Sequence, residues 1–170
     1  MKFKDLAAER YSCRMMSDQK VADDLVEQII ETAIKAPTAV NKQPFKIFWM
    51  KSEQAKEIIH KVTRFTFGAD TFLVVGAKKE EGWVRSFDER PFADVDASIV
   101  ATHMMMEITD LGLATTWVGY FDAPLLKSLQ PEMKDYDLLA IFPIGYAAED
   151  GGPSPRHTVR KSREELLECL

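Results

Sequence analysis

The chain has 170 residues, is 46% hydrophobic and 29% charged, and carries a formal net charge of -5. Its length suits one hydrophobic core, and its composition excludes a disordered tail, a collagen-like repeat and a disulfide scaffold. The acidic balance speaks against a nucleic-acid-binding protein, and no run approaches the ~18 apolar residues that span a membrane.

Two cysteines, Cys13 and Cys169, lie far apart without metal-ligand spacing. Reduced thiols and a cytoplasmic location are the expectation. The charge is unevenly distributed. Residues 1–20, 35–51 and 154–163 together sum to +10, so the remainder holds -15. Acid-free windows of this length also arise by chance.

In chain order, Val21, Leu25, Val26, Ile29, Ile30 and Ala33 recur at three- and four-residue steps, which predicts a helix from Ser17 to Ala36. Pro37 stops it. Phe45 to Met50 is aromatic and β-branched and reads as a strand, and a helix follows from Ser52 to about Thr63. Thr71 to Ala77 is a continuous apolar run, as in a strand covered on both faces. The longest helical signal runs from Phe92 to Leu113. Val95, Ile99, Thr102, Met106 and Thr109 mark one side and Val100, Met104, Ile108 and Leu111 another, so little of this helix is expected to face water. Asp94 and Asp96 fall in its first turn, where carboxylates favour the positive end of the helix dipole. A short strand is expected at Thr115–Val118, a short helix at Pro124–Leu129, a strand at Asp137–Gly145 and a last helix at Ser162–Leu167, capped by Ser162 or a neighbour. The order predicts an α+β layout with a small sheet.

Four segments carry side chains suited to ligands. In extended backbone Arg10, Ser12 and Arg14 would line one side as a row of donors fitting a phosphate or a polar ring edge, although a solvated charged strand has the same pattern. Ala36-Pro-Thr-Ala-Val-Asn-Lys-Gln-Pro44 is polar and stiffened by two prolines, as a ligand wall or an ordinary turn would be. Gly112 to Phe121 leaves the long helix, forms a strand and breaks at Gly119, where backbone amides could approach a flat ligand; a plain strand-end glycine explains it too. His157-Thr-Val-Arg-Lys161 is cationic, as a solvated basic tail would also be. His60, His103 and His157 lack partners at metal spacing, so no metal is expected. Met104-Met-Met106 reads as core filling.

Taken in order, these segments resemble the nitroreductase family of FMN-dependent oxidoreductases. The Arg-x-Ser-x-Arg row is matched by Arg10, Ser12 and Arg14, and the Ala-Pro-Ser/Thr-x-x-Asn-x-Gln-Pro loop by residues 36–44. The Gly-Leu-x-x-x-Trp-Val-Gly turn is matched by Gly112 to Gly119, and the Gly-Tyr strand end with a basic Arg-Lys by Gly145-Tyr146 and Arg160-Lys161. The resemblance covers nearly the whole chain. It implies one nitroreductase-like domain over residues 1–170, with a small, mainly antiparallel mixed sheet flanked by helices around a long core helix, in an intertwined homodimer.

The resemblance also implies the site. Arg10, Ser12 and Arg14 would hold the flavin phosphate, ribityl chain and pyrimidine edge, with Arg160 and Lys161 completing the phosphate site. Tyr11 stands where many relatives have a second arginine. Pro37, Thr38, Ala39, Asn41 and Gln43 would cover the FMN of the partner subunit. Trp117 and Val118 would belong to the same cofactor-binding turn, in which backbone amides near Gly119 and Tyr120 would donate to flavin N5 and O4. No protein side chain would be the nucleophile. Hydride would pass from NADH or NADPH through flavin N5 to a nitroaromatic, quinone or flavin in a ping-pong cycle. The alternatives are reductive dehalogenation or flavin destruction on the same fold, a flavin-binding or sensing protein without turnover, and an acidic interaction module docking a phosphorylated partner.

Overall fold

The structure, a computed structural model, describes residues 2–170. Its strands are Phe45–Trp49 (β1), Thr71–Ala77 (β2), Val84–Arg85 (β3), Arg90–Pro91 (β4), Ala114–Thr115 (β5) and Asp137–Gly145 (β6). Its helices are Phe3–Glu9 (α1), Asp23–Ala33 (α2), Glu53–Val62 (α3), Ala93–Asp110 (α4), Ala123–Leu129 (α5) and Arg163–Leu166 (α6). The middle layer is a sheet of order β1-β2-β6-β5 with every neighbouring pair antiparallel. The parallel element is an isolated bridge, Ser12 to Thr115, which lays residues 12–13 along the β5 edge. The expected α+β architecture around a long helix is thus observed.

Strand alternation divides the core in two. Leu73 and Val75 of β2, with Phe142 and Ile144 of β6, pack against Val26 and Ile29 of α2 and Val100, Met104 and Ile108 of α4. Phe72 and Val74, with Ile141, face the opposite way onto Ile58, Ile59 and Val62 of α3 and Leu126 of α5. Each face of the sheet is therefore covered by helices, which explains why the central strands read as unbroken apolar runs. The helix starts follow local chemistry. The Ser52 hydroxyl accepts from the Ala55 amide at 3.1 Å, Asp122 Oδ1 accepts from Leu125 at 2.9 Å, and Ser162 and Glu165 form a reciprocal capping box.

Several elements depart from the sequence expectation. The helix expected from Ser17 begins at Asp23, because the preceding chain is taken into sheet-like pairing: Met16 bridges Ala147, and the Ser17 amide donates to Tyr146 O at 2.9 Å. Tertiary hydrogen bonds there outweigh local helix propensity. The expected strand at Thr115–Val118 is reduced to Ala114–Thr115, with Val118 rejoining β6 through an isolated bridge to Ile141. Helix α1 was not expected; seven residues with Leu6 alone buried give too short a periodic signal. Between Ala77 and Phe92 the chain makes a 3-10 turn and the β3–β4 hairpin, with Phe87 fully exposed between the two strands.

As expected, little of the long helix faces water, with Asp94, Thr102 and Asp110 its exposed residues, but one side is less covered than the other. On α4, Thr102 is exposed and Val95, Ile99, Met106 and Thr109 are only half-buried. They lie on a side that no other element of the chain fully covers. A groove of about 460 Å³, lined by Phe3, Leu6, Ala7, Arg10, Thr102 and Met106 among others, runs between α1 and α4.

Candidate functional site

The site begins where residues 11–16 lie across the sheet edge. The Cys13 amide donates to Thr115 O at 3.0 Å and the Met16 amide to Phe67 O at 2.9 Å. Cys13 is fully buried while Arg14 is exposed, which is the alternation expected of extended backbone. Arg10 is half-buried and closes α1, its amide donating to Leu6 O at 2.9 Å. Arg14 Nη1 rests on Ser12 O at 3.2 Å, so its charge stays at the surface. Burial, and after it the Cys13 sulfur, push the Tyr11 hydroxyl above its usual 10.0. It is therefore a neutral hydrogen-bonding group across the physiological range.

The C-terminal stretch is threaded onto the same segment. The Cys13 thiol donates to Gly151 O at 3.4 Å, the Ala148 amide donates to Met15 O at 3.0 Å, and the Tyr11 and His157 rings meet edge-on with centroids 6.3 Å apart. The first and last basic islands consequently lie beside one another. Arg160 donates to His157 O and Val159 O, while Lys161 is exposed.

The turn at 117–120 follows β5 directly. The Val118 amide donates to Ile141 O at 3.0 Å, the Thr63 hydroxyl donates to Tyr120 O at 2.8 Å, and Trp117 packs edge-on against Phe142 at 5.2 Å. Between these anchors the Gly119 backbone is bare: a Cβ added there would meet nothing within 4 Å. Gly119 and the 78% exposed Tyr120 border an open cleft of about 740 Å³, whose other wall carries His60, Lys61, Thr63 and Arg64. Phe65 lies edge-on to Tyr120 at 5.8 Å, and the Arg64 guanidinium stands 5.0 Å over Phe65. This side is thus aromatic and cationic.

The loop at 36–44 lies elsewhere. It leads into β1, whereas segment 12–13 lies outside β5; four strand spacings of ~4.8 Å, roughly 19 Å, separate those edges. At its ends the loop is bonded to α2 and beside β2, the Ala36 amide donating to Ala33 O at 3.1 Å and the Lys78 amide to Pro44 O at 2.9 Å; between them its hydrogen bonds run within itself and to α4. The Thr38 hydroxyl accepts from the Gln43 amide at 3.0 Å, the Gln43 side chain donates to Asn41 O at 3.2 Å, and the Ala39 amide donates to Asp96 Oδ1 at 2.8 Å. Val40, Asn41 and Gln43 hold φ of 46°, 55° and 51°. Each such residue costs ~1–3 kcal/mol, most for the β-branched Val40, so the surroundings must hold the loop in shape. Pro37, Thr38, Ala39, Asn41 and Gln43 all remain at least partly exposed.

Of the residues singled out in the sequence, Tyr11, Ser12 and Arg14 lie in the segment outside β5, with His157 and the C-terminal stretch that carries Arg160 and Lys161 beside Tyr11; Trp117, Val118, Gly119 and Tyr120 continue the chain from β5, and Arg10, at the end of α1, lines the groove against α4. The 37–43 set does not join them within one chain. Sequence reasoning assigned Asp96 only to the helix dipole and missed its contact with the loop. The signal was present: Asp96 falls in phase with Ala93, Ala97, Val100 and Met104 on the buried side of α4. Among the described residues no three of His, Cys, Asp and Glu come together as a metal site, and no helix is long and apolar enough to cross a membrane.

Known proteins supply a context for this arrangement. The model of the nitroreductase family matches residues 7–65 and 60–146. A nitroreductase family protein of Clostridium difficile 630 is 31% identical and superposes with a TM-score of 0.90 over 99% of this chain and 98% of its own. A protein of Archaeoglobus fulgidus provisionally named NADH dehydrogenase/NAD(P)H nitroreductase is 27% identical over 157 residues, 83% of each chain. A protein of Exiguobacterium sibiricum named a nitroreductase and solved in complex with FMN shares the fold at a TM-score of 0.83, with 19% identity over 100% of this chain and 98% of its own. With the model matched over most of its length, this chain belongs to the nitroreductase family.

Proposed function

We propose that the protein is an FMN-dependent oxidoreductase that takes reducing equivalents from NADH or NADPH and passes them to a nitroaromatic, quinone or flavin acceptor. The observation that carries this reading is the clasp of residues 12–13 onto Thr115, which ties a cationic segment to the strand whose continuation is the turn with the bare Gly119 backbone. A flat cofactor with a phosphate tail needs that pairing. When bound, FMN supplies the two-electron chemistry, and the protein contributes binding, orientation and electrostatics. Arg10 and Arg14, with Arg160 and Lys161 from the C-terminal stretch, would neutralise the phosphate, and Ser12 and Tyr11 would offer neutral hydrogen bonds to the polar chain. Among the described residues the amides of Gly119 and Tyr120 meet no acceptor, and they can donate to the ring edge where negative charge grows on reduction. Trp117 and Val118 fix that turn against the core. The cleft between Tyr120 and Arg64 leaves room on the ring for donor and acceptor in turn.

The wide separation of the 37–43 loop supports a homodimer. If Pro37, Thr38, Ala39, Asn41 and Gln43 cover a flavin, it is the flavin of a second copy. The uncovered apolar groove between α1 and α4 is a surface such a copy could bury. Folding and cofactor retention would then both depend on protomer concentration.

The purified protein should be yellow or take up FMN on mixing, bleach on adding NADH or NADPH under nitrogen, and recover its colour with a nitroaromatic or a quinone. A colourless protein that cannot be loaded with FMN would refute the reading, and bleaching without recovery would favour a flavin sensor. Arg14→Ala should weaken FMN binding by about 2 kcal/mol, roughly thirtyfold in Kd by flavin fluorescence titration, because one charge-assisted contact is lost. An unchanged Kd would remove Arg14 from the site.

A further inference from the structure

Asp96 is a carboxylate in an unusual position. It is 1% exposed on the core side of α4, and one oxygen, Oδ2, is buried without a hydrogen-bond partner. An acid in the first turn of a helix is ordinarily explained as a cap, but no side chain caps α4. The hydrogen bond that Asp96 does make reaches 57 residues back along the chain, from the Ala39 amide to Oδ1 at 2.8 Å. Ala39 is where the loop turns into its three left-handed residues, Val40, Asn41 and Gln43. The bonds from Asn41 and Gln43 to Thr38, from Lys42 to Ala39 and from the Gln43 side chain to Asn41 shape residues 38–43 internally; the next attachment comes where the loop enters β1, with the Phe45 amide on Gln43 O and the Lys78 amide on Pro44 O at 2.9 Å.

We infer that Asp96 is a positioning residue: through the Ala39 amide its buried carboxylate ties the strained 38–43 loop to the core helix and thereby sets the FMN affinity of the site that this loop completes. The inference rests on the flavin reading and on the loop serving a second copy. Asp96 stands in the first turn of α4, so the helix start that fixes its position also fixes the point to which the Ala39 amide is tied. Burial of the pair excludes water that would otherwise compete for the Ala39 amide.

Two variants remove the acceptor: Asp96→Ala, and Asp96→Leu, which fills the space should a cavity unfold the first. Asp96→Asn keeps an oxygen for Ala39. In the apo protein, amide hydrogen exchange over residues 39–43 should rise at least about tenfold in the Ala and Leu variants while α4 keeps its protection, and FMN Kd should rise by about tenfold or more. The Asn variant should stay within about threefold of the parent in Kd. Mixing offers a readout that general destabilisation would not give. Dimers reassembled from Asp96→Ala and Arg14→Ala chains place both lesions in one site and leave the other intact, so tight FMN binding should return to half the sites of the mixed dimers. Unchanged exchange over 39–43 would overturn the anchor. Raised exchange with an unchanged Kd would overturn its link to the cofactor, as would mixed dimers with no tight site. If the parent protein binds no FMN, the flavin reading falls and with it the link to affinity, whereas the exchange measurement still decides whether Asp96 holds the loop.

Discussion

Phe142→Ala is expected to lower stability by about 3–5 kcal/mol, a large share of the ~5–15 kcal/mol that holds an ordinary domain together. Phe142 is fully buried in the middle of β6, among the residues packed on α2 and α4. Truncation removes a whole ring, and the neighbours Leu73, Val100 and Met104 are too firmly held on β2 and α4 to collapse into the space. For a chain of this size the transition should shift down by roughly 6–20 °C in a thermal melt. The ring also supports Trp117 at 5.2 Å, so the loss reaches the 117–120 turn. Phe142→Leu, which keeps more of the volume, should lose distinctly less; equal loss in the two variants would mean that packing is not what Phe142 contributes.

Gly151→Ala should cost at least about 3 kcal/mol, at or beyond the upper end of ordinary overpacking. An added Cβ would stand 2.5 Å from Met15 O and 2.9 Å from Ala148 O. Both are backbone atoms, so no side-chain rotation relieves the clash. The strand 11–16 and the 148–151 turn must separate, which breaks the Ala148 to Met15 hydrogen bond and the Cys13 contact to Gly151. Gly152 is the built-in control, because a Cβ there meets nothing within 4 Å. Gly152→Ala should leave the denaturation midpoint nearly unchanged; similar losses at the two positions would mean that the close approach at Gly151 is unimportant.

How far the sequence could be read depended on what each segment packs against. Strands β2 and β6 were legible to the residue: burial on both faces leaves β2 a continuous apolar run, and leaves β6 one that starts after Asp137 and ends at Gly145. The capped helices α3 and α6 were close for a different reason: Ser52 and Ser162 act on amides three residues away, and such information is local. Residues 17–22 looked helical by the same periodicity and are not, since their neighbour Met16 is paired with Ala147, a partner 131 positions away that no local pattern reports. The candidate site divides along the same line. The Arg10, Ser12 and Arg14 row and the Gly119 break could be found in the chain, because alternation and glycine are local signals. That residues 12–13 lie along β5, and that the 37–43 loop sits across the sheet from them, depends on strand order. Asp96 was hidden by a sound local account: an acid in a first turn needs no further reason until its burial is known.

The strand order has a consequence for how the chain assembles. Strand β6 is the last of the sheet to be synthesised, yet it lies between β2 and β5 and pairs with both. Until residues 137–145 emerge, one edge of the largely apolar β2 has its backbone N–H and C=O groups unpaired, and β5 lacks its partner strand. A nascent or truncated chain that stops short of β6 therefore presents a template for strand addition from other molecules. The polypeptide becomes safe from its own copies only when its last strand arrives, and arrival of that strand also carries the basic C-terminal stretch to the segment around Tyr11.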